Sequence, residues 1–434
     1  MSDTKPSVLI IGGGAFGCST AYHLACRGYD SVRVLDRFEA PSHDAASTDL
    51  NKVVRADYPD AIYGRLGLEA MKVWESKTSF LKNLYRKCGW IRSASPQDTA
   101  WLKAAYKTGR DLGFTQSKWM KGEEIRSAWP EISGQLGDWE NLWNPEAGWV
   151  PSAQALVSMT NAARKEGVEF TSGLDGDVRK LLYDDSHKCV GALSRSGKAH
   201  FADTIIVSTG AFLPELLEAK EESIAVAGCV GILKLTPAEM ETYKNMPIVD
   251  EAVGGLLFPP DEHGMLKIVT NRGITNYAYS PVKGASVTHG FNAHPADGIP
   301  IEMEKRLRDF LREVLPELAE REFFTTRMCW DSSTKDYHYR ICPFPETKNL
   351  YVATCGATHG FKMMPVIGKY VVDMLEDKLP DHLVAAWSWK SGKAPEGEML
   401  YPHPQDHDDL GDLTGWKRSN RNLSPPSRAL RANL

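Results

Sequence analysis

Three apolar runs punctuate the chain: Val8-Leu9-Ile10-Ile11 near its start, Ile205-Ile206-Val207 in its middle and Leu350-Tyr351-Val352-Ala353 near its end. Such short runs without polar alternation predict strands buried on both faces, the pattern of a parallel sheet. The first leads into Gly12-Gly13-Gly14-Ala15-Phe16-Gly17 and a helix-like segment through Cys26, with Gly28 as its C-terminal cap. A second apolar strand, Val32 to Leu35, then delivers Asp36. The third run enters a glycine-containing loop, Cys355 to Gly360, followed by another helix.

Between these runs the periodicity changes. Leu66, Ala70, Val73 and Trp74 recur at helical spacing, predicting an amphipathic helix over 61–84. Residues 91–145, rich in Trp, Lys and Glu, read as a separate insertion. A helix is expected over 152–166, short strands near 190–193 and 199–201, and a helix over 302–318. Alternating stretches between 224 and 280, such as Met265-Leu266-Lys267-Ile268-Val269, predict an antiparallel sheet.

Gly12-x-Gly14-x-x-Gly17 sits where a dinucleotide fingerprint must sit. The first glycine permits the turn, the second lets a pyrophosphate approach the backbone, and the third lets helix pack on strand. The helix N-terminus offers its unpaired N–H groups to phosphate. Asp36, 19 residues after Gly17, is placed for a ribose hydroxyl. The fingerprint alone fits either FAD or NAD. Two features favour FAD: the polar stretch 42–52 after the first unit, and a second glycine loop near the C-terminus, as a long extended cofactor requires.

The chain has 434 residues, enough for two lobes, with a net charge of −5, which gives no electrostatic reason to expect nucleic acid or an anionic membrane as partner. No stretch reaches the ~18 unbroken apolar residues of a membrane span. The polar start, Met1 to Ser7, runs straight into a strand without the look of a secretory signal. The eight cysteines are therefore expected to be free thiols in a reducing compartment. No metal site is expected.

Three further motifs carry a family likeness: Asp49-Leu50-Asn51-Lys52-Val53-Val54, Arg327-Met328-Cys329-Trp330, and Gly360-Phe361-Lys362-Met363-Met364-Pro365-Val366-Ile367-Gly368. With the fingerprint they make the chain, from about Val8 to Trp416, resemble the monomeric sarcosine oxidase family of FAD-dependent amine oxidases. The likeness is strongest to its fungal fructosyl amino acid oxidase (amadoriase) and saccharopine oxidase branch. The resemblance implies an α/β fold. In it, a Rossmann-like FAD domain of the glutathione-reductase type joins an α+β substrate domain built on an antiparallel sheet. The FAD domain is expected from residues 1–90, 146–223 and 320–385, the substrate domain from 91–145 and 224–319, and a C-terminal extension from 386–434.

The resemblance also assigns roles. Cys329 matches the cysteine bonded through sulfur to the 8α carbon of FAD, and Lys267 the lysine that lies over the flavin and activates dioxygen. Lys52 and Arg55 match basic residues near the flavin and the substrate carboxylate, and Lys362 another carboxylate ligand. Lys267, Lys52 and Arg55 are thus the catalytic candidates, with Arg55, Asn271 and Lys362 for substrate. The cofactor candidates are Gly12, Gly14, Ala15, Phe16, Gly17, Asp36, Arg37, Ser47, Thr48, Lys52, Val178, Gly210, Cys329, Gly360, Phe361 and Lys362. Amide groups of the 356–360 loop are expected near the flavin pyrimidine. His338 and His359 are expected to be hydrogen-bonded structural residues.

The implied reaction is oxidation of the C–N bond of a secondary amine in an N-substituted amino acid. Hydride passes to flavin N5, the imine hydrolyses, and O2 is reduced to H2O2 by an enzyme acting as a monomer. Saccharopine, pipecolate, N-methyl and fructosyl amino acids are all compatible. Two departures weaken the fructosyl case: Thr270-Asn271 stands where amadoriases carry an acidic pair, and their C-terminal arginine has no clear counterpart in 393–400. The alternatives are a flavoenzyme of specialised metabolism that oxidises or cyclises an amine intermediate, and a NAD-dependent dehydrogenase. The final Ala432-Asn433-Leu434 resembles a weak variant of the peroxisomal address, so either a peroxisomal or a cytoplasmic location is expected.

Overall fold

A computed structural model describes residues 5–114, 116–219, 222–290, 293–390 and 407–417. The run 393–400 and the terminal tripeptide lie outside the described residues. The three apolar runs lie side by side in one six-stranded sheet. Its order is Arg340–Pro343, Leu350–Thr354, Thr204–Val207, Val8–Ile11, Val32–Leu35 and Glu169–Thr171. Every neighbouring pair is parallel except Arg340–Pro343 with Leu350–Thr354. Strands from the start, middle and end of the chain therefore build one nucleotide half.

The helix Ala15–Cys26 packs against Met364–Leu375, the helix of the Gly-Phe-Lys motif. Gly368 explains why that motif ends in glycine. A Cβ there would lie 2.2 Å from the Ser19 carbonyl oxygen, and its N–H donates to Ser19 Oγ at 2.9 Å. The two helices meet backbone to backbone.

The second half is a ten-stranded sheet centred on the 11-residue strand Ile224–Lys234. Met265–Thr270 pairs antiparallel along one side of it and Thr325–Ser333 along the other. Residues 91–145 share this sheet: Trp90–Ala94 joins Ile248–Glu251 in parallel and extends it through Glu140–Asn144 and Lys118–Met120. One expectation changes here. The segment with Cys329, expected in the nucleotide half, runs in this sheet with Cys329 opposite Gly228. Periodicity reports which face is buried, not which sheet a strand joins.

Two helices are also shorter than their patterns suggest. Ala61–Trp74 stops because Ser76 and Ser79 turn back: Thr78 N–H donates to Ser76 Oγ, and Ser79 Oγ donates to the Val73 carbonyl. Ile301–Val314 gives way to a 3-10 turn beginning at Pro316. No helix among the described residues is long and apolar enough to cross a membrane.

Replacing Gly368 with Ala should lower stability by about 1–3 kcal/mol through overpacking. The check is the thermal unfolding midpoint of the flavin-loaded protein. An unchanged midpoint would contradict the close helix contact.

Candidate functional site

A cavity of about 430 Å³ runs between the two sheets, from the Gly12–Gly14 turn and Asp36, past Ser47 and Lys52, to Lys267, Cys329 and Lys362. At the first end Gly12 has φ +106°, and a Cβ there would meet the Ser208 carbonyl oxygen at 2.5 Å. A Cβ on Gly17 would meet the Gly12 carbonyl oxygen at 1.9 Å, so this glycine serves helix-on-strand packing and does not line the cavity. Gly14 faces the opening, with Ser47 Oγ 3.7 Å from its would-be Cβ. No side chain caps the helix that starts at Ala15, and its first turn holds no acid. Its N–H groups and dipole therefore suit an anion.

Asp36 shapes this turn. One oxygen accepts from Gly13 N–H at 2.7 Å; the other accepts from Phe38 N–H at 2.9 Å and Ser42 Oγ at 2.8 Å. Burial pushes its carboxyl above the ordinary range. Arg37 lies 4.3 Å over the Phe212 ring beside it. Thr48 differs from expectation: its hydroxyl donates to the Ser42 carbonyl and the residue stands behind the cavity wall. Apart from Gly17, the other expected cofactor residues, among them Ala15, Phe16, Val178, Gly210, Gly360 and Phe361, line the cavity.

The middle of the cavity is organised by Asp49. This buried carboxylate holds Lys267 Nζ at 2.5 Å, Lys52 Nζ at 2.9 Å and Arg327 Nη2 at 3.1 Å. Leu50 N–H adds a bond at 2.8 Å, and the Asp49 carbonyl accepts from Ser152 Oγ at 2.8 Å. Burial alone would raise the Asp49 carboxyl, but the three cations hold it well below the carboxylate range. Lys52 is pushed upward by Asp49 against the effect of burial. Lys267 moves the other way, to about 8, because burial and the neighbouring Lys52 outweigh its share of Asp49. One anion divided among three cations leaves the most buried of them under-compensated.

Cys329 meets this cluster: its sulfur lies 3.8 Å from Lys52 Nζ and 3.9 Å from Arg327 Nη2. It lines the cavity, whereas Cys18, Cys189 and Cys229 are buried structural thiols. All eight cysteines are free.

At the far end Arg55 lies 4.6 Å from the Tyr58 ring, 4.7 Å from Trp90 and 5.3 Å from Trp101, and donates to the Asp57 carbonyl. Lys362 is buried beside Tyr58, 5.8 Å from its ring, with the His359 carbonyl at 3.3 Å. Among the described residues neither forms an ion pair. Burial, then Arg55 and Lys52, push the Lys362 amine well below its ordinary value. Asn271 lines the cavity, but its amide nitrogen is held by Asp250 Oδ1 at 2.8 Å and the Glu251 carbonyl. Thr270 Oγ1 accepts from Cys229 N–H at 3.1 Å.

The loop 355–360 also differs in detail. Its Ala357, Thr358 and His359 N–H groups are held by the Ser332 carbonyl, Asp331 Oδ2 and the Gly356 carbonyl, while Cys355, Gly356, Thr358 and Gly360 line the cavity, followed by Phe361 and Lys362. His338 pairs with Tyr63 OH at 2.9 Å, and His359 with Tyr339 OH at 3.1 Å and the Tyr337 carbonyl at 2.9 Å. Sequence reasoning missed Asp49 as a hub, although it lies in a quoted motif. It also missed Asp331, next to the Cys329 motif, and Arg92, Trp101 and Asp250, which line the cavity from segments without any motif.

The donor set suits a dinucleotide. Ser47, Ser208, Thr209 and Thr354 present hydroxyl oxygens that are buried and have no partner within the protein, and all four residues line the cavity. Buried polar groups require partners, and a long polar ligand supplies them. The sequence matches the family described as FAD dependent oxidoreductase over residues 7–374. The chain belongs to that family. It is an enzyme whose cofactor is FAD. L-saccharopine oxidase of Schizosaccharomyces pombe is 31% identical to it over 408 residues, covering 88% of this chain and 93% of that protein. Monomeric sarcosine oxidase of a Bacillus species is 22% identical over 391 residues, covering 89% and 96%. Among solved structures, a thermally stable mutant of fructosyl peptide oxidase superposes with a TM-score of 0.87 at 30% identity, covering 95% and 99%. Amadoriase II of Aspergillus fumigatus superposes at 0.85 with 29% identity, covering 99% and 100%.

Replacing Asp49 with Asn should destabilise the flavin-loaded enzyme by roughly 3–5 kcal/mol, because three buried cations lose their shared anion. Urea unfolding measures this. A loss below ~1 kcal/mol would remove Asp49 as the hub.

Proposed function

We propose that this chain is an FAD-dependent oxidase of the C–N bond of a secondary amine in an N-substituted amino acid, acting as a monomer with O2 as electron acceptor. The observation that carries the reading is one cavity that gathers Lys267, Cys329 and the two unpaired cations Arg55 and Lys362. The names of the relatives, which include saccharopine, sarcosine and fructosyl amino acid oxidases, support the same class.

Arg55 and Lys362 bind the substrate carboxylate, Arg55 by a bidentate pair. A carboxylate there answers the cost of burying two unpaired cations. The aromatic walls, Trp101 and Phe258, keep water from the amine, which must arrive as its free base. FAD supplies the electron chemistry, taking two electrons from the amine and passing them to O2. Cys329 holds the flavin through its sulfur. Lys52 and Arg327 place positive charge beside that sulfur, and Lys267 places an ammonium where negative charge develops during oxygen reduction.

Two outcomes test these roles. Acid-precipitated enzyme should form a yellow pellet that retains its flavin, and Cys329→Ala should release the flavin to the supernatant. Colourless wild-type pellets would sink the covalent link.

Lys267→Met should slow flavin reoxidation by roughly 100- to 1,000-fold while changing flavin reduction by substrate far less. The sign with pH follows from its value of about 8: the ammonium is lost as pH rises through that point, so the wild-type reoxidation rate should fall there. Stopped-flow measurement of both half-reactions checks this, and equal slowing of both would remove the assigned role.

A further inference from the structure

Three cations lie in a row along one wall of the cavity. Lys362 and Arg55 share the ring of Tyr58, and Arg55 and Arg92 share the ring of Trp101, each guanidinium 5.3 Å from its centroid. Arg92 comes from the strand Trp90–Ala94, which no motif marks. Its Nη1 pairs with Asp250 Oδ1. Asp250 is itself fixed by Trp90 Nε1 at 3.1 Å and Asn271 Nδ2 at 2.8 Å. Arg92 is thus held rigidly by one of its donors.

The rest of the guanidinium is not accounted for. Arg92 Nε is buried without a hydrogen-bond partner, and the residue lines the same cavity as Arg55 and Lys362. A buried, unsatisfied N–H is costly, so its acceptor is expected to come from outside the protein. The remaining side-on edge, Nε with Nη2, is the edge that takes a carboxylate bidentately. The carboxylates nearby leave that edge of Arg92 free. Three cations face this end of the cavity, and Asp250 alone is ion-paired with one of them. The other buried acids nearby bond elsewhere: Glu251 to the Val253 and Gly254 amides, Asp57 to Asn144 and Ser117, and Asp331 to the Ser332 and Thr358 amides.

We infer that Arg92 forms a second anion subsite, so the substrate is a secondary amine bearing two carboxylates, one held by Arg55 and Lys362 and one by Arg92. This rests on the amine-oxidase reading above. Asp250 and Asn271 are positioning residues that aim Arg92, and Trp101 separates the two subsites.

The test uses the flavin-loaded enzyme and N-(ω-carboxyalkyl)glycines with two to five methylenes, each paired with its ω-carboxamide. Wild-type kcat/KM for flavin reduction should favour the best diacid over its amide by about 10- to 100-fold, the range for a charged hydrogen-bonded pair. Arg92→Met should bring that ratio towards one, and Arg92→Lys should restore part of it. A wild-type ratio near one, or a ratio retained in Arg92→Met, would overturn the subsite without needing any variant to fold perfectly. If the diacids fail while N-methyl amino acids reduce the flavin, the subsite falls and the amine-oxidase reading stands. If no secondary amine reduces the flavin, both fall.

Discussion

Everything at the centre of this enzyme depends on one buried carboxylate. Asp49 draws together Lys52 from its own segment, Lys267 from the strand Met265–Thr270 and Arg327 from Thr325–Ser333. Those three segments belong to different parts of the chain, and their cations would repel one another without it. Burying charge is expensive unless it is paired with good geometry. Here the geometry also sets the charge balance, because one anion cannot fully answer three cations. The shortfall leaves Lys267 poised near neutral pH and keeps positive charge close to Cys329.

The sheets make this convergence possible. The parallel sheet ends its strands at the Gly12 turn, at Ser208 and Thr209, and at the 355–360 loop, all bordering the cofactor end of the cavity. Ligands of open parallel sheets sit at such carboxyl ends. The large antiparallel sheet supplies the other wall, and its extension through Trp90–Ala94 carries Arg92 and the Trp90 face against which Arg55 packs. A cation row held on aromatic rings resists collapse, since guanidinium over a ring is attractive and rigid.

Much of this was legible beforehand. The buried runs, the glycine fingerprint with Asp36, and the motifs around Lys52, Cys329 and Lys362 identified the cofactor class and part of the cavity wall. Gly368 was visible as part of a motif, but only the helix packing shows that a side chain there would strike Ser19. Asn271 was visible as polar, yet its amide turns to Asp250, a residue 21 positions away. Side-chain direction of this kind depends on neighbours from other strands, which periodicity does not encode.

The amino-acid sequence by itself determined the nucleotide turn, because phosphate binding between strand and helix requires glycines at fixed spacing. It also singled out Cys329, Lys52 and Lys362 as candidates, since those lie in local motifs. Only the tertiary structure decided that Asp49 binds three cations, that the Cys329 strand belongs to the antiparallel sheet, and that Arg92 joins Arg55 and Lys362. The physical reason is range: backbone turns are set by residues a few positions apart, whereas charge balance in a buried cavity is set by whichever side chains the folded sheets bring together.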